Sequence, residues 1–131
     1  MKFLTGWGTA FVLLVVLDAL WLGLIARDFY KEGLGSLLRE RPNWPVAVLF
    51  YVLHTLGIAV FALPLAQSQG HWSWALAYGA LYGLCVYAAY DFTNLATLRG
   101  WPVGLSLLDL GWGALATALA TTGAFLVREA V

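Results

Sequence analysis

Three aspartates lie within long apolar stretches of the sequence: Asp18, Asp91 and Asp109. An acid facing lipid at mid-bilayer costs at least ~2.5–3.5 kcal/mol, so each must point into protein or a wet cavity. Tyr87, Tyr90, Asp91 and Asn94 stand at i, i+3, i+4 and i+7, and a helix puts all four on one face. Asp18 and Asp109 are each followed three residues later by a tryptophan, Trp21 and Trp112, so acid and indole share a helix face. The indole N–H is a donor that such a carboxylate uses only indirectly or from a neighbouring helix. Tyr51, His54 and Thr55 form a polar patch in another apolar stretch. A protonated aspartate in this set can serve as general acid, and the acids with Asn94 can fix the polar end of a ligand. The catalytic candidates are therefore Asp91, Asp18 and Asp109. The ligand-binding candidates are Asn94, Tyr90, Tyr87, Tyr51, His54, Trp21 and Trp112. His54 beside ionised carboxylates would suit a divalent cation. However, no HxxxH, CxxC or ExxH spacing occurs, and metal and cofactor stay open. Neither a nucleophile elbow nor a glycine-rich phosphate loop is present.

The elements that position these residues must be membrane spans. The chain has 131 residues, 62% hydrophobic and 11% charged, with mean hydropathy +0.81. A soluble domain carries about 25% charged residues. The expectation is an all-α integral membrane four-helix bundle in one domain, residues 1–131, with spans near 6–26, 44–66, 72–98 and 101–127. The first run, broken by Asp18 and Trp21 and without a small-residue cleavage site, reads as a retained helix. Between the first two spans lies the only strongly charged stretch, Arg27 to Arg41. There Leu34, Leu37 and Leu38 predict a short interfacial helix, whose first half Gly33 and Gly35 weaken. Small residues, Gly79 and Gly83 and then Gly113, Ala116, Thr117 and Ala120, would let helices close up. Cys85 reads as a small packing residue, and His71 as a solvated loop residue.

Lys and Arg placement predicts the orientation. Arg27, Lys31, Arg39, Arg41 and Arg99 flank one side, and Lys2 and Arg128 the other. The long first loop is thus expected in the cytoplasm, with both termini outside. Trp7, Trp72, Trp74, Trp44 and Trp101 open spans at interface positions. Pro45 and Pro102 follow the last two at tolerated first-turn positions.

Depth then links the candidates. Asp18 lies eight residues before Ala26, and Asp109 eight after Trp101, each about 12 Å inward. Asp91 lies about 10 Å inward from Leu98, and His54 about 15 Å from Trp44. Four helices therefore place an ionisable group at one level, predicting a polar chamber in the cytoplasmic half. Three carboxylates there cannot all stay ionised cheaply, so a proton or a cation sits among them. The plainer alternative is a hydrogen-bonded network that only fixes helix pairing.

The string Tyr90-Asp91-Phe92-Thr93-Asn94-Leu95-Ala96-Thr97-Leu98-Arg99-Gly100-Trp101-Pro102 resembles a family of small bacterial membrane proteins that carries a domain-of-unknown-function label. Leu17-Asp18-x-x-Trp21-Leu22-Gly23, Phe50-Tyr51 with Gly57, and Asp109-x-x-Trp112-Gly113 resemble it too. The resemblance covers nearly the whole chain and implies four helices and an inner-membrane location, with no activity. The position of His54 looks more often like a tyrosine in that family, so a hydroxyl or imidazole hydrogen-bonder fits there.

The expected function is a membrane-embedded binding or catalytic site for a lipidic or small polar-headed molecule, in a bacterial inner (plasma) membrane. Its partners are the lipid bilayer and that ligand. A proton- or cation-coupled transporter acting as a homodimer is the first alternative, and a structural scaffold subunit the second. Zero net charge offers no basic surface for nucleic acid.

Overall fold

A computed structural model describes residues 1–131. The chain is all helix, with no strand. In order come α1 (Lys2–Ile25), α2 (Arg27–Leu34), α3 (Trp44–Gln69), α4 (Trp72–Thr97) and α5 (Val103–Ala130). Three of them, α1, α3 and α5, are long and apolar enough to cross a membrane. The fourth long helix, α4, has 26 residues. Its tyrosines, Asp91 and Asn94 keep it outside that apolar class. Helix ends also move: α1 begins at Lys2 and α5 runs on to Ala130, beyond the spans read from hydropathy.

Burial patterns say how the rods pack. α1 buries Gly6, Ala10, Leu14 and Asp18. α4 buries Ala75, Gly79, Gly83, Tyr87 and Asp91. Each is a single i, i+4 stripe that starts in small residues and ends in an aspartate. α5 buries both a Gly113–Ala116–Ala120–Ala124 row and a Ser106–Leu110–Thr117–Thr121 row, because it lies between α1 and α4. Small residues bring α4 and α5 together: a Cβ on Gly79 would stand 2.9 Å from both the Ala118 Cα and the Thr117 carbonyl oxygen. Such close backbone approach is how apolar helices associate without a hydrophobic driving force.

α3 is not uniform. Its second half packs on α4, while the backbone of its first half contacts α1 and meets α4 and α5 only through side chains, at Phe50 and at His54 with Tyr82, Tyr87 and Thr117. Between the halves lies a widened π turn, Ile58–Ala62. Pro64 follows; it lacks an N–H and would clash with the carbonyl of Val60 in a regular helix, and the wide turn absorbs that clash. Trp7 Nε1 donates to Thr55 Oγ1 at 3.0 Å and ties α1 to α3 at this level. A second π turn, Trp21–Ile25, closes α1.

The loop helix differs from expectation. Its regular part is the charged half, Arg27–Leu34, and Gly35–Leu37 is only a 3-10 turn. Propensity is overridden here by tertiary contact: Gly33 packs flat on Leu105 of α5, where a Cβ would come within 3.1 Å. Gly35, at φ 52, then ends the helix. Cys85 is exposed on α4, not packed. His71 is exposed and accepts from the Ser73 N–H through Nδ1 at 3.2 Å, capping α4. Asn43 does the same for α3, accepting from the Val46 N–H at 3.4 Å.

Candidate functional site

The wedge between the first half of α3 and the α4–α5 pair is a cavity of about 390 Å³. Asp18, Asp91 and Asp109 all line it. Trp21, Tyr51, Tyr87, Tyr90 and Trp112 line it as well. Two of the sequence candidates do not. His54 lies behind the wall, stacked between Phe50 at 5.3 Å and Tyr82 at 5.0 Å, with Nε2 3.0 Å from Thr117 Oγ1. Asn94 is half-buried, one turn beyond Tyr90. Helical spacing puts Asn94 on the face of Tyr87 and Asp91, and depth alone puts His54 at the level of the acids. Neither fixes which neighbours a side chain meets, and the lining that α4 gives the cavity ends at Asp91.

Each acid is held differently. Asp18 is 6% exposed. Its Oδ2 accepts from the Tyr51 hydroxyl at 2.7 Å and its Oδ1 from the Trp112 indole N–H at 2.6 Å. Asp109 Oδ1 accepts from the Tyr30 hydroxyl at 2.7 Å, and that hydroxyl accepts from Trp21 Nε1 at 3.2 Å. The two Asp-x-x-Trp motifs are therefore exchanged between helices. The indole of α5 reaches the acid of α1 directly, and the indole of α1 reaches the acid of α5 through Tyr30. Trp21 and Trp112 stack between them, centroids 4.5 Å apart and planes 3° from parallel.

Asp91 is the exception. It is 2% exposed, faces Asp109 across the α4–α5 contact, and has an Oδ2 with no partner. The Trp101 indole N–H lies near it, yet closes no hydrogen bond and is also buried and unpaired. An unpaired buried acceptor and an unpaired buried donor thus stand at one end of the cavity. The three carboxylates share the space without converging on one point, and no group of three acids or histidines is arranged to hold a metal ion.

Sequence reasoning missed Tyr30, Leu34, Phe50 and Trp101, all of which line the cavity. Tyr30 and Leu34 come from α2 and roof it. Burial above all, and the Asp109 carboxylate it donates to, raise the Tyr30 hydroxyl well above its ordinary value, against a smaller lowering by the Trp21 N–H. A signal for α2 existed in the i, i+4 spacing of Tyr30 and Leu34 within a charged stretch.

Among known proteins, a family model described as "Predicted membrane protein (DUF2177)" matches residues 3–126. No curated protein and no solved structure matches the chain. The family match runs from the first turn of α1 to the last turns of α5 and so takes in every helix that lines the cavity. The chain belongs to this DUF2177 family of predicted membrane proteins.

Proposed function

We propose that the cavity is a membrane-embedded binding or catalytic site for a lipidic or small polar-headed molecule. One observation carries the reading: a single cavity joins three aspartates, and the most buried of them has an acceptor oxygen without a partner. A network that only fixed the fold would use its acceptors, as Asp18 does. An orphaned buried polar group costs roughly 1–3 kcal/mol, more when charged, and a ligand donor recovers that cost. Asp91 is the group that meets the ligand and the general acid of any reaction. Asp109 faces it across the α4–α5 contact, and Asp18 positions Tyr51 and Trp112. Trp21, Tyr51, Tyr87, Tyr90 and Trp112 hold the apolar body. His54 and Asn94 act through the residues they pack on.

In this reading α1, α3, α4 and α5 span a bacterial inner membrane as a four-helix bundle. α2 lies at the cytoplasmic interface, and both termini are outside. A cysteine at position 99 should resist labelling from outside intact cells while one at 69 is labelled; the reverse pattern overturns the orientation. Leu14, Ile58 and Leu63 are fully buried, which favours a site entered from one side over a through-path for transport.

The test is thermal unfolding in detergent, wild type beside Asp91→Asn, across a panel of lipids, divalent cations and pH values. A site ligand at ~100-fold excess over Kd stabilises the wild type by about 2.7 kcal/mol. Asp91→Asn should stay folded and lose that gain. If no condition stabilises the wild type more than the variant, and the variant complements a deletion strain, the cavity is structural.

A further inference from the structure

The charge of the cavity and its two unpaired atoms restrict what can enter it. Every charged side chain in its lining is a carboxylate; no Lys, Arg or His is among them. An anionic headgroup would find one free donor, the Trp101 N–H, against three carboxylates. A cation would meet Asp91, whose free oxygen is buried, and aromatic faces that attract it further, among them Phe50, Tyr87 and Tyr90. A bare cation would leave Trp101 Nε1 unpaired. The ligand's polar end therefore needs an N–H donor for Asp91 and, next to it, an oxygen acceptor for the Trp101 indole. Resting on the binding-site reading above, we propose that the site takes a 2-aminoethoxy group: a primary ammonium two carbons from an ether or ester oxygen, attached to an apolar chain. The ammonium donates to Asp91 Oδ2, and the oxygen accepts from Trp101.

The chain of the same molecule has a place. A groove lined by Ile25, Leu107, Leu108, Gly111 and Leu115 lies beside the cavity. The cavity and the groove share Trp21 and Trp112, so the stacked indoles are the wall between them. A ligand whose head lies among the acids can pass its chain beside this pair into the apolar groove on the α1–α5 face.

Two sources present this group: a free ether amine, and an ethanolamine phospholipid headgroup, whose phosphate adds a negative charge beside the oxygen. The experiment uses the full chain in nanodiscs or detergent and reads ligand-dependent thermal stabilisation and native mass spectrometry. Its probes are phosphatidylethanolamine, phosphatidylcholine, phosphatidylglycerol, dodecylamine and 2-(dodecyloxy)ethylamine. The aminoethoxy compounds should bind about ten- to hundredfold more tightly than phosphatidylglycerol or phosphatidylcholine, the size of one buried charge-assisted hydrogen bond. Phosphatidylcholine carries the charge without an N–H, and dodecylamine the N–H without the neighbouring oxygen, so both should fall short. Preference for the phospholipid or for the ether amine then identifies the source. Asp91→Asn should erase the preference. Trp101→Phe, which keeps the aromatic bulk, should reduce 2-(dodecyloxy)ethylamine to the level of dodecylamine. A third variant, Ala47→Trp, fills the cavity from α3. If phosphatidylglycerol binds as well as the amines and Ala47→Trp abolishes it, the aminoethoxy assignment is wrong and the site stands. If binding of every probe is absent or indifferent to Ala47→Trp, both fall.

Discussion

Asp18 and Asp91 occupy matching places in the fold and differ in what surrounds them. Each ends an i, i+4 buried stripe, on α1 and α4 respectively, and each packs toward α5. Asp18 has a donor on each oxygen, one from α3 and one from α5, so it ties three helices together. Asp91 lies in the tighter pair and is the less exposed, yet its Oδ2 has no hydrogen-bond partner. A buried acid with its acceptors filled is a structural joint. One with an acceptor to spare is open to a ligand donor as well as to the fold. The difference separates residues that shape the cavity from those that use it.

The comparison breaks most visibly at Asp18. Asp18→Leu removes both acceptors and leaves the Tyr51 hydroxyl and the Trp112 N–H buried without partners. At roughly 1–3 kcal/mol per orphaned group, this is the largest loss of stability expected from any single change in the cavity. Unfolding in mixed micelles of increasing denaturing detergent measures it. A loss under about 0.5 kcal/mol, the range of ordinary surface changes, would mean that Asp18 joins nothing.

At Asp91 the sign should reverse. Asp91→Leu removes an acceptor that lacks a partner and a charge that is costly to bury. Without ligand, the same detergent titration should find the variant as stable as the wild type or more so, by up to ~1–4 kcal/mol. A destabilisation as large as that of Asp18→Leu would make the two acids equivalent and remove the basis for assigning function to Asp91.

Much of this arrangement is legible in the sequence, and what is not has a physical cause. Depth counting along α1, α4 and α5 brings Asp18, Asp91 and Asp109 to one level, because rise per residue is fixed once a helix is given. The small-residue contact through Gly79, Gly83 and Gly113 is legible for the same reason: only residues without bulk permit it. Indole-to-acid pairing is legible only as two alternatives, and the molecule uses both, one at each Asp-x-x-Trp motif. Tyr30 is legible only as half of an i, i+4 pair with Leu34; that this pair roofs the cavity depends on α2 folding back onto α5, a tertiary contact the spacing does not encode. His54 and Asn94 show the converse. Their polarity on an apolar helix marks them, but His54 finds Thr117 behind the wall, and the lining from α4 ends at Asp91, short of Asn94. The three-rod hydropathy reading differs from the four-rod one for a related reason. α4 carries the tyrosines and the acid that line the cavity, so the helix richest in site residues is the least apolar of the four.

The finest distinction concerns whether the Asp18 and Asp109 corners are one network or two. Tyr51→Phe removes a donor from Asp18, and Tyr30→Phe removes the bridge from Trp21 to Asp109. Each should cost about 1 kcal/mol, a typical net hydrogen bond. The corners touch through the Trp21–Trp112 stack, whose two N–H groups lead to different acids. If each indole is fixed by its own hydrogen bond, the two losses add to within ~0.3–0.5 kcal/mol, as independent sites do. If Tyr30 holds Trp21 and so holds the stack, losing it loosens Trp112 and with it the second donor of Asp18. The double variant then departs from the sum by more than that. Near-parallel planes 3° apart favour the coupled outcome, since tilting either ring disturbs the other. A thermodynamic cycle over the four proteins measures it, and strict additivity would mean that α2 roofs the cavity without bracing the Asp18 corner.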